Sequence, residues 1–146
     1  MSLPTRYPVP HVPMTFLALG KPQPKGSTRA FMCRGRPLIT STNPHLRAWE
    51  KIVAKAAQAA EVPLLPAEPV TVGILFLLAR PKGVAVKRRP WPVVKPDVDK
   101  LARAVLDALT GIAYTDDSQV VQVSAKKAYV EPGVLPGAVI TIGVAA

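Results

Sequence analysis

The five aspartates of this 146-residue chain all lie between Asp97 and Asp117, although the protein has a formal net charge of +10. Carboxylates are the hard oxygen ligands that Mg²⁺ and Mn²⁺ prefer. Acidic groups concentrated in one stretch of a basic protein therefore predict a divalent-cation site that faces an anionic partner. The alternative is simple helix capping, because aspartates in a first turn complement the helix dipole by about 0.3–1 kcal/mol each.

A second acidic pair favours a metal site over capping alone. Asp116 and Asp117 follow the end of the helix that the first pair begins. The connection that starts at Gly111 can extend roughly 23 Å, whereas a helix over residues 98–110 is only about 20 Å long. The chain is thus long enough to double back and bring the two pairs together, although the sequence does not require it.

The helix between the two pairs has clear start and stop signals. Pro96 favours an extended residue before it, so Asp97 is the predicted N-cap, and Gly111 is a natural terminator. Its apolar residues recur at three- and four-residue spacing, namely Leu101, Ala104, Val105, Ala108, Leu109 and Ile112. The opposite face carries a charged row at i, i+4 and i+8, which consists of Asp99, Arg103 and Asp107.

The positive charge is concentrated in two proline-containing segments. The chain has 19 lysines and arginines against 9 acids, an excess typical of a polyanion binder. Residues 21–36 predict a basic turn or irregular hairpin, and residues 80–95 predict a flexible cationic loop over the acidic site that DNA orders, with Trp91 against a sugar or base. Few aromatic residues are available for stacking, so backbone and shape recognition of a duplex is favoured. Solvated surface loops or a ribosomal-type RNA binder are the alternatives.

The remaining patterns predict a single small α/β (α+β) domain with a mixed sheet of about four or five strands and two main helices. Strands are predicted at 15–19, 37–39, 70–78, 119–130 and 139–144, and the first helix over about 44–60. Asn43 or Thr42 is the predicted N-cap of that helix, with Pro44 at its first position. Residues 133–137 predict a wide hairpin connection between the last two strands. Residues 1–14 predict a loose proline-rich arm, which leaves 15–146 as the domain.

Composition excludes several protein classes. No run approaches the roughly 20 apolar residues that span a bilayer, and the first twenty residues do not resemble a secretory signal. The single cysteine, Cys33, excludes an internal disulfide, and with two histidines the chain offers no zinc constellation. We expect a cytoplasmic protein of bacterial or phage type.

The order of these motifs resembles that of the RusA family of Holliday junction resolvases. The matching blocks are Lys95-Pro96-Asp97-Val98-Asp99, Arg103 to Leu109 and Asp116-Asp117-Ser118-Gln119-Val120, with a weaker block at Gly20 to Gly26 and Arg29. Together they cover most of the chain from about Thr15 to Val130. The resemblance implies a small homodimeric α/β enzyme of recombination and repair. Such an enzyme cuts branched, four-way DNA junctions by paired symmetric nicks and uses Mg²⁺, with Mn²⁺ as an alternative.

Together with the residue chemistry, the resemblance implies a set of site residues. The catalytic residues would be Asp97, Asp99, Asp117 and Arg103, and the metal ligands would be Asp97, Asp99 and Asp117, with Asp116 as an outer ligand or substitute. The predicted DNA contacts are Lys21, Lys25, Arg29, Lys87, Arg88, Arg89, Lys95 and Lys100.

Two positions depart from the family pattern. Arg103 stands where the family usually carries lysine, and a guanidinium is a poor proton donor. Lys100 replaces a small polar residue and is expected to pair with the acidic cluster or to reach the substrate. Asp107 is expected to pair with Arg103.

Repulsion among close carboxylates predicts that their pKa values lie above the ordinary range when no metal is bound. Three other functions stay open from the residues alone. A non-catalytic DNA-binding protein would explain the charge but not the aspartates, whereas a metal-dependent phosphatase of small substrates would explain the aspartates but not the basic loops. The third is a metal-dependent nuclease of flaps or other branched DNA.

Overall fold

The computed structural model describes residues 13–26, 28–41 and 43–146, and at 28–31 and 38–41 it describes the backbone alone. The predicted proline-rich arm of residues 1–14 therefore lies almost wholly outside the described residues. Its last residue, Met14, already begins the first strand.

The described residues contain six strands, namely β1 (Met14–Leu19), β2 (Thr28–Cys33), β3 (Arg36–Ser41), β4 (Val70–Leu78), β5 (Val120–Tyr129) and β6 (Gly137–Val144). Four of them form a mixed sheet in the order β1–β6–β4–β5. Strand β6 runs antiparallel to both neighbours, and β5 runs parallel to β4. Strands β2 and β3 form a separate hairpin. Arg34 and Gly35 turn this hairpin with φ values of 50° and 75°, the backbone of a tight type I′ turn.

Two helices, α1 (Leu46–Ala59) and α2 (Val98–Leu109), pack against each other and against the sheet. Strand β4 alternates strictly between buried and half-buried residues, so one of its faces belongs to the core. Buried side chains of the sheet and both helices form one cluster around Trp49, Phe76 and Leu101. The predicted α+β domain with a mixed sheet and two main helices is confirmed.

The predicted hairpin between the last two strands is wrong, because β4 lies between β5 and β6. Helix α2 is a crossover connection, which makes β5 the parallel partner of β4. Strand β6 consequently takes the other edge of β4. The segment that joins β5 to β6 passes the end of β4, where the Val130 amide donates to the Leu78 carbonyl at 2.9 Å.

Helix α1 starts later than predicted, with His45 as its N-cap and no side-chain capping bond. Thr42 lies outside the described residues. The side-chain nitrogen Nδ2 of Asn43 instead donates to the Pro24 carbonyl at 2.9 Å and to the Gln23 Oε1 at 3.2 Å. Asn43 therefore ties the basic segment after β1 to the start of α1.

Helix α2 has its predicted start and stops one residue short of the predicted end at Thr110. Asp97 is the N-cap, and Gly111 has the positive φ of 83° that ends the helix. Because α2 runs antiparallel to β4 and β5, its start lies beside their carboxyl ends and its end lies beside the amino end of β5. No helix among the residues that the structure describes is long and apolar enough to cross a membrane.

Candidate active site

The carboxylate of Asp97 lies at the start of α2 without capping it. Its backbone has the extended N-cap conformation, but the side chain accepts no capping hydrogen bond. The Lys100 Nζ lies 3.7 Å from the Asp97 Oδ2, and each side chain of this pair is about half exposed. The expected pairing of Lys100 with the acidic cluster is confirmed at Asp97. The carboxylate thus remains at the surface, where a cation or a substrate has access to it.

Asp97 and Asp99 face two different cavities. The larger one, here called the basic groove, has a volume of about 950 Å³ and lies between residues 21–26 and residues 92–97. The smaller one, here called the acidic cavity, has a volume of about 440 Å³ and is lined by Asp99, Arg103, Asp107 and Asp117, with Val123 and Ala125 from β5. Residues two apart on a helix point in different directions, which explains why the two carboxylates lie on different cavities.

Asp117 lies beside the end of α2 rather than doubling back to its start. The buried Tyr114 donates its hydroxyl to the Leu106 carbonyl at 2.7 Å, and the Gly111 amide donates to the Tyr114 carbonyl at 2.7 Å. Burial raises the pKa of Tyr114, which keeps this hydroxyl a donor at neutral pH. The tight turn places Asp117 close enough to Asp107 for that charge to act on it.

Local hydrogen bonds with the following residues hold Asp116 in place. Its carboxylate accepts from the Ser118 amide at 2.9 Å, while the Asp116 amide donates to the Gln119 Oε1 at 2.9 Å. This capping box opens the short 3₁₀ helix Asp117–Gln119. The hydrogen bonds from Ser118 lower the pKa of Asp116, so the predicted upward shift is wrong for this residue.

The predicted upward shift holds for Asp117. A hydrogen bond with Asp116 raises the pKa of the Asp117 carboxyl, and the charges of Asp116 and Asp107 raise it further. Asp117 thus lies beside other acidic groups, and a cation bound near it would relieve their repulsion.

The proposed metal ligands are not assembled into one closed site. Among the described residues, no three carboxylate, imidazole or thiol groups lie close enough together to hold a metal ion. Asp99 and Asp107 are eight residues apart on α2, which is about 12 Å along the axis, and Asp97 lies on the other cavity. The donor chemistry suits Mg²⁺, but the arrangement does not fit one ion, and the ligand set stays a prediction.

The predicted Arg103–Asp107 ion pair is wrong, because the partner of Asp107 is Lys25 at 2.7 Å. This hydrogen bond raises the pKa of the Lys25 ammonium. The Lys25 amide also donates to the Lys100 carbonyl at 2.9 Å, so residues 21–26 are fastened directly to α2. Arg103 lines the acidic cavity and has no ion pair within 4.0 Å among the described residues.

The other predicted DNA contacts lie on two surfaces. Lys21, Lys25, Lys95 and Lys100 line the basic groove. Lys87 and Arg88 are exposed and Arg89 is half buried on the segment after β4, whereas the Arg29 side chain lies outside the described part of the chain.

Contacts with other parts of the protein hold the segment after β4, residues 80–95, in place without DNA. The Lys127 Nζ donates to the carbonyls of Val94 and Pro96 at 2.9 and 2.8 Å. The Arg80 guanidinium donates to the Arg89 carbonyl at 2.5 Å, and the Lys126 Nζ lies 5.0 Å from the ring centre of Trp91. Ordering of this segment by DNA stays a prediction, but its junction with α2 is already fixed.

Sequence reasoning missed Lys127 and Tyr129, and it placed Arg80 only within the cationic loop of residues 80–95. Lys127 lies on the same face of β5 as Val123 and Ala125, because side chains two residues apart on a strand share a face. Val123 and Ala125 line the acidic cavity under α2. A lysine in register with inward-facing residues was the available signal, because such a side chain needs a specific acceptor.

Comparison with known proteins agrees with these features. Residues 20–142 match the family model described as Endodeoxyribonuclease RusA. The chain is also 28% identical over 126 residues to "Uncharacterized protein YqaN" of Bacillus subtilis (strain 168), a match that covers 80% of this chain and 87% of that protein. The family match spans both basic segments, α2 and the Asp116–Asp117 pair, and it covers most of the chain. This protein belongs to the RusA family of endodeoxyribonucleases, hydrolases that act on DNA.

Proposed function

We propose that this protein is a Mg²⁺-dependent, structure-selective endonuclease that resolves four-way DNA junctions by paired symmetric nicks. The observation that supports it is the arrangement around α2, where an acidic cavity and a cation-lined groove lie on two sides of one helix start. A nuclease must bring an anionic backbone next to carboxylates, and this helix brings the two surfaces together.

Each residue around α2 has a chemical part in this proposal. A bound Mg²⁺, or Mn²⁺ in its place, would supply an activated water and would relieve charge on the phosphate and the leaving oxygen. Of the three predicted ligands, Asp99 and Asp117 share the acidic cavity and are the candidates to hold the ion, whereas Asp97 lies on the basic groove. Arg103 carries a planar guanidinium with five donors, which suits neutralisation of phosphate charge rather than proton transfer.

Paired nicks require two active sites related by a twofold axis, so a homodimer belongs to the proposal. The charge of +10 on each chain favours binding of the four converging backbones of a junction, where the phosphate density is highest.

A substrate panel tests the proposed function. Purified protein is incubated with a synthetic four-way junction, a flap, a linear duplex and a single strand, each with and without Mg²⁺. We expect nicks in the four-way junction with Mg²⁺ and no nicks in its absence. Preferred cleavage of the flap would assign the protein to another kind of branched-DNA nuclease, and uncut DNA of every form would contradict the proposal.

A further inference from the structure

The basic groove combines positive charge with apolar walls. Five cationic side chains line it, and Asp97 is the acid at its rim. The cations are Lys21, Lys25, Arg80, Lys95 and Lys100. Prolines also line both walls, among them Pro22, Pro24, Pro92 and Pro96. Such a surface fits a ligand that is anionic along one edge and carries carbon rings along the other, as a chain of deoxyribose phosphates does.

The size of the groove selects among forms of DNA. Its volume of about 950 Å³ lies at the upper end of the roughly 300–1,000 Å³ of small-ligand pockets. A duplex is wider than its own major groove of about 12 Å, so it exceeds a cavity of this volume. A short stretch of one strand is the smaller ligand that such a volume admits.

Both walls of the groove are fixed without a ligand. Asn43 holds Gln23 and Pro24 in one wall, and Lys127 holds Val94 and Pro96 in the other. A preformed groove avoids the cost of ordering loops when a strand binds.

Tyr129 offers an unused hydrogen bond at this groove. Its hydroxyl is buried and has no hydrogen-bond partner among the described residues, and the Arg80 guanidinium lies 4.2 Å from the centre of its ring. A buried polar group without a partner is rare and calls for an explanation. A phosphate oxygen bound by Arg80 would give the Tyr129 hydroxyl an acceptor.

We infer that the basic groove binds the sugar–phosphate backbone of one DNA strand and leads it to Asp97. The inference rests on the proposed action on DNA and specifies the path of the strand that is cut. The exposed basic row on α1, which includes Lys51 and Lys55, lies outside this path.

The test measures binding without cleavage. Fluorescence anisotropy of a labelled oligodeoxythymidine is recorded in EDTA over a range of NaCl concentrations. The wild type is compared with the double variant Lys21→Gln, Lys95→Gln and with the matched control Lys51→Gln, Lys55→Gln. Loss of two strand contacts is expected to reduce the slope of log K against log salt by about 1.4, whereas the control pair keeps the wild-type slope.

Tyr129→Phe gives a second measurement that a merely structural role would not reproduce. Removal of an unsatisfied buried hydroxyl is expected to leave Tm unchanged or raised. The same variant is expected to bind the oligonucleotide roughly 3- to 10-fold more weakly, the effect of one hydrogen bond.

An unchanged slope in the groove variant, an equal loss in the α1 control, or wild-type affinity in Tyr129→Phe would overturn the inference. Because binding is measured in EDTA, the result is independent of cleavage. Protein that binds as expected but nicks no junction in Mg²⁺ contradicts the proposed function and leaves the groove assignment standing.

Discussion

At the scale of single residues, neighbouring carboxylates of this protein have opposite environments. Backbone and side-chain hydrogen bonds from Ser118 lower the pKa of Asp116, whereas a hydrogen bond with Asp116, followed by the charges of Asp116 and Asp107, raises the pKa of Asp117. The charged form of Asp116 is therefore stabilised by the local fold, whereas the charged form of Asp117 is destabilised by it. A cation bound beside Asp117 would relieve this destabilisation.

Asp117→Asn is expected to stabilise the metal-free protein at neutral pH. The folded-state pKa of Asp117 is raised above its ordinary 3.8, so the folded protein binds this proton more tightly than the unfolded chain. The free energy of unfolding therefore falls as pH rises through the window above 3.8. Urea denaturation across this window should show the fall in the wild type and a flatter profile in the variant.

Asp116→Ala is the control for this prediction. The pKa of Asp116 is lowered from 3.8, so its stabilisation is present above that pH and is lost as pH falls through the lowered value. Asp116→Ala should thus be destabilised at neutral pH. Equal stability changes of the same sign in both variants would contradict the account of this pair.

Asp107→Asn is expected to lower stability slightly, because it removes the ion pair with Lys25. The two side chains are 36% and 31% exposed, and pairs with this much solvent contribute about 0.2–1 kcal/mol. The Lys25 contribution is present below its ordinary pKa of 10.5 and is lost as pH rises through the raised folded value. Urea denaturation of Asp107→Asn and of the exposed control Glu131→Gln, at neutral pH and at a pH above the raised pKa of the Lys25 ammonium, checks this. A loss that persists at the higher pH would contradict it.

At the scale of elements, α2 depends on a contact from the strand beneath it. Lys127 in β5 binds the two carbonyls that flank Lys95, directly before Asp97. The neighbouring Lys126 lies over Trp91 and is exposed. Strand β5 thereby fixes where the helix, and with it Asp97 and Asp99, begins.

Lys127→Met is expected to destabilise the protein by about 1–3 kcal/mol, because two carbonyls lose a charged donor. Junction cleavage should fall as well, and Lys127→Arg should restore part of it. Urea denaturation and cleavage rates check both effects, with Lys126→Met as the matched control. An equal loss in Lys126→Met would show that charge on β5, and not the contact to the helix entry, is responsible.

Elements that depend on the spacing of residues close together in the sequence were predictable. Features that depend on pairing between distant parts of the chain were not. The apolar stripe of α2, its N-cap Asp97 and the run of β4 follow from spacing and composition. The separation of β5 from β6 depends on which strand takes each edge of β4, which no local pattern contains. For the same reason the partner of Asp107, Lys25, comes from a segment 82 residues earlier.

The candidate site was predictable in residue type but not in arrangement. Asp99 and Asp117 share a cavity with Arg103, as their selection implied. Asp97 faces the other cavity, because it lies two residues before Asp99 at the start of α2. The turn at Gly111 and Tyr114 leads the chain into β5, which leaves Asp117 beside the end of the helix.

At the scale of the whole molecule, the proposal requires two copies. One chain has a mass of 15.6 kDa, and paired nicks need two sites that act on opposite strands. Light scattering coupled to size-exclusion chromatography should give twice the chain mass in the absence of DNA. A monomer that persists on the junction would contradict paired cleavage.

The most direct test of the central claim is the position of the nicks in a four-way junction whose strands are labelled one at a time. In Mg²⁺ we expect two nicks at symmetric positions in opposite strands, and none with Asp99→Asn although that variant still binds the junction. Asymmetric or single nicks, or cleavage that survives in Asp99→Asn, would contradict the account.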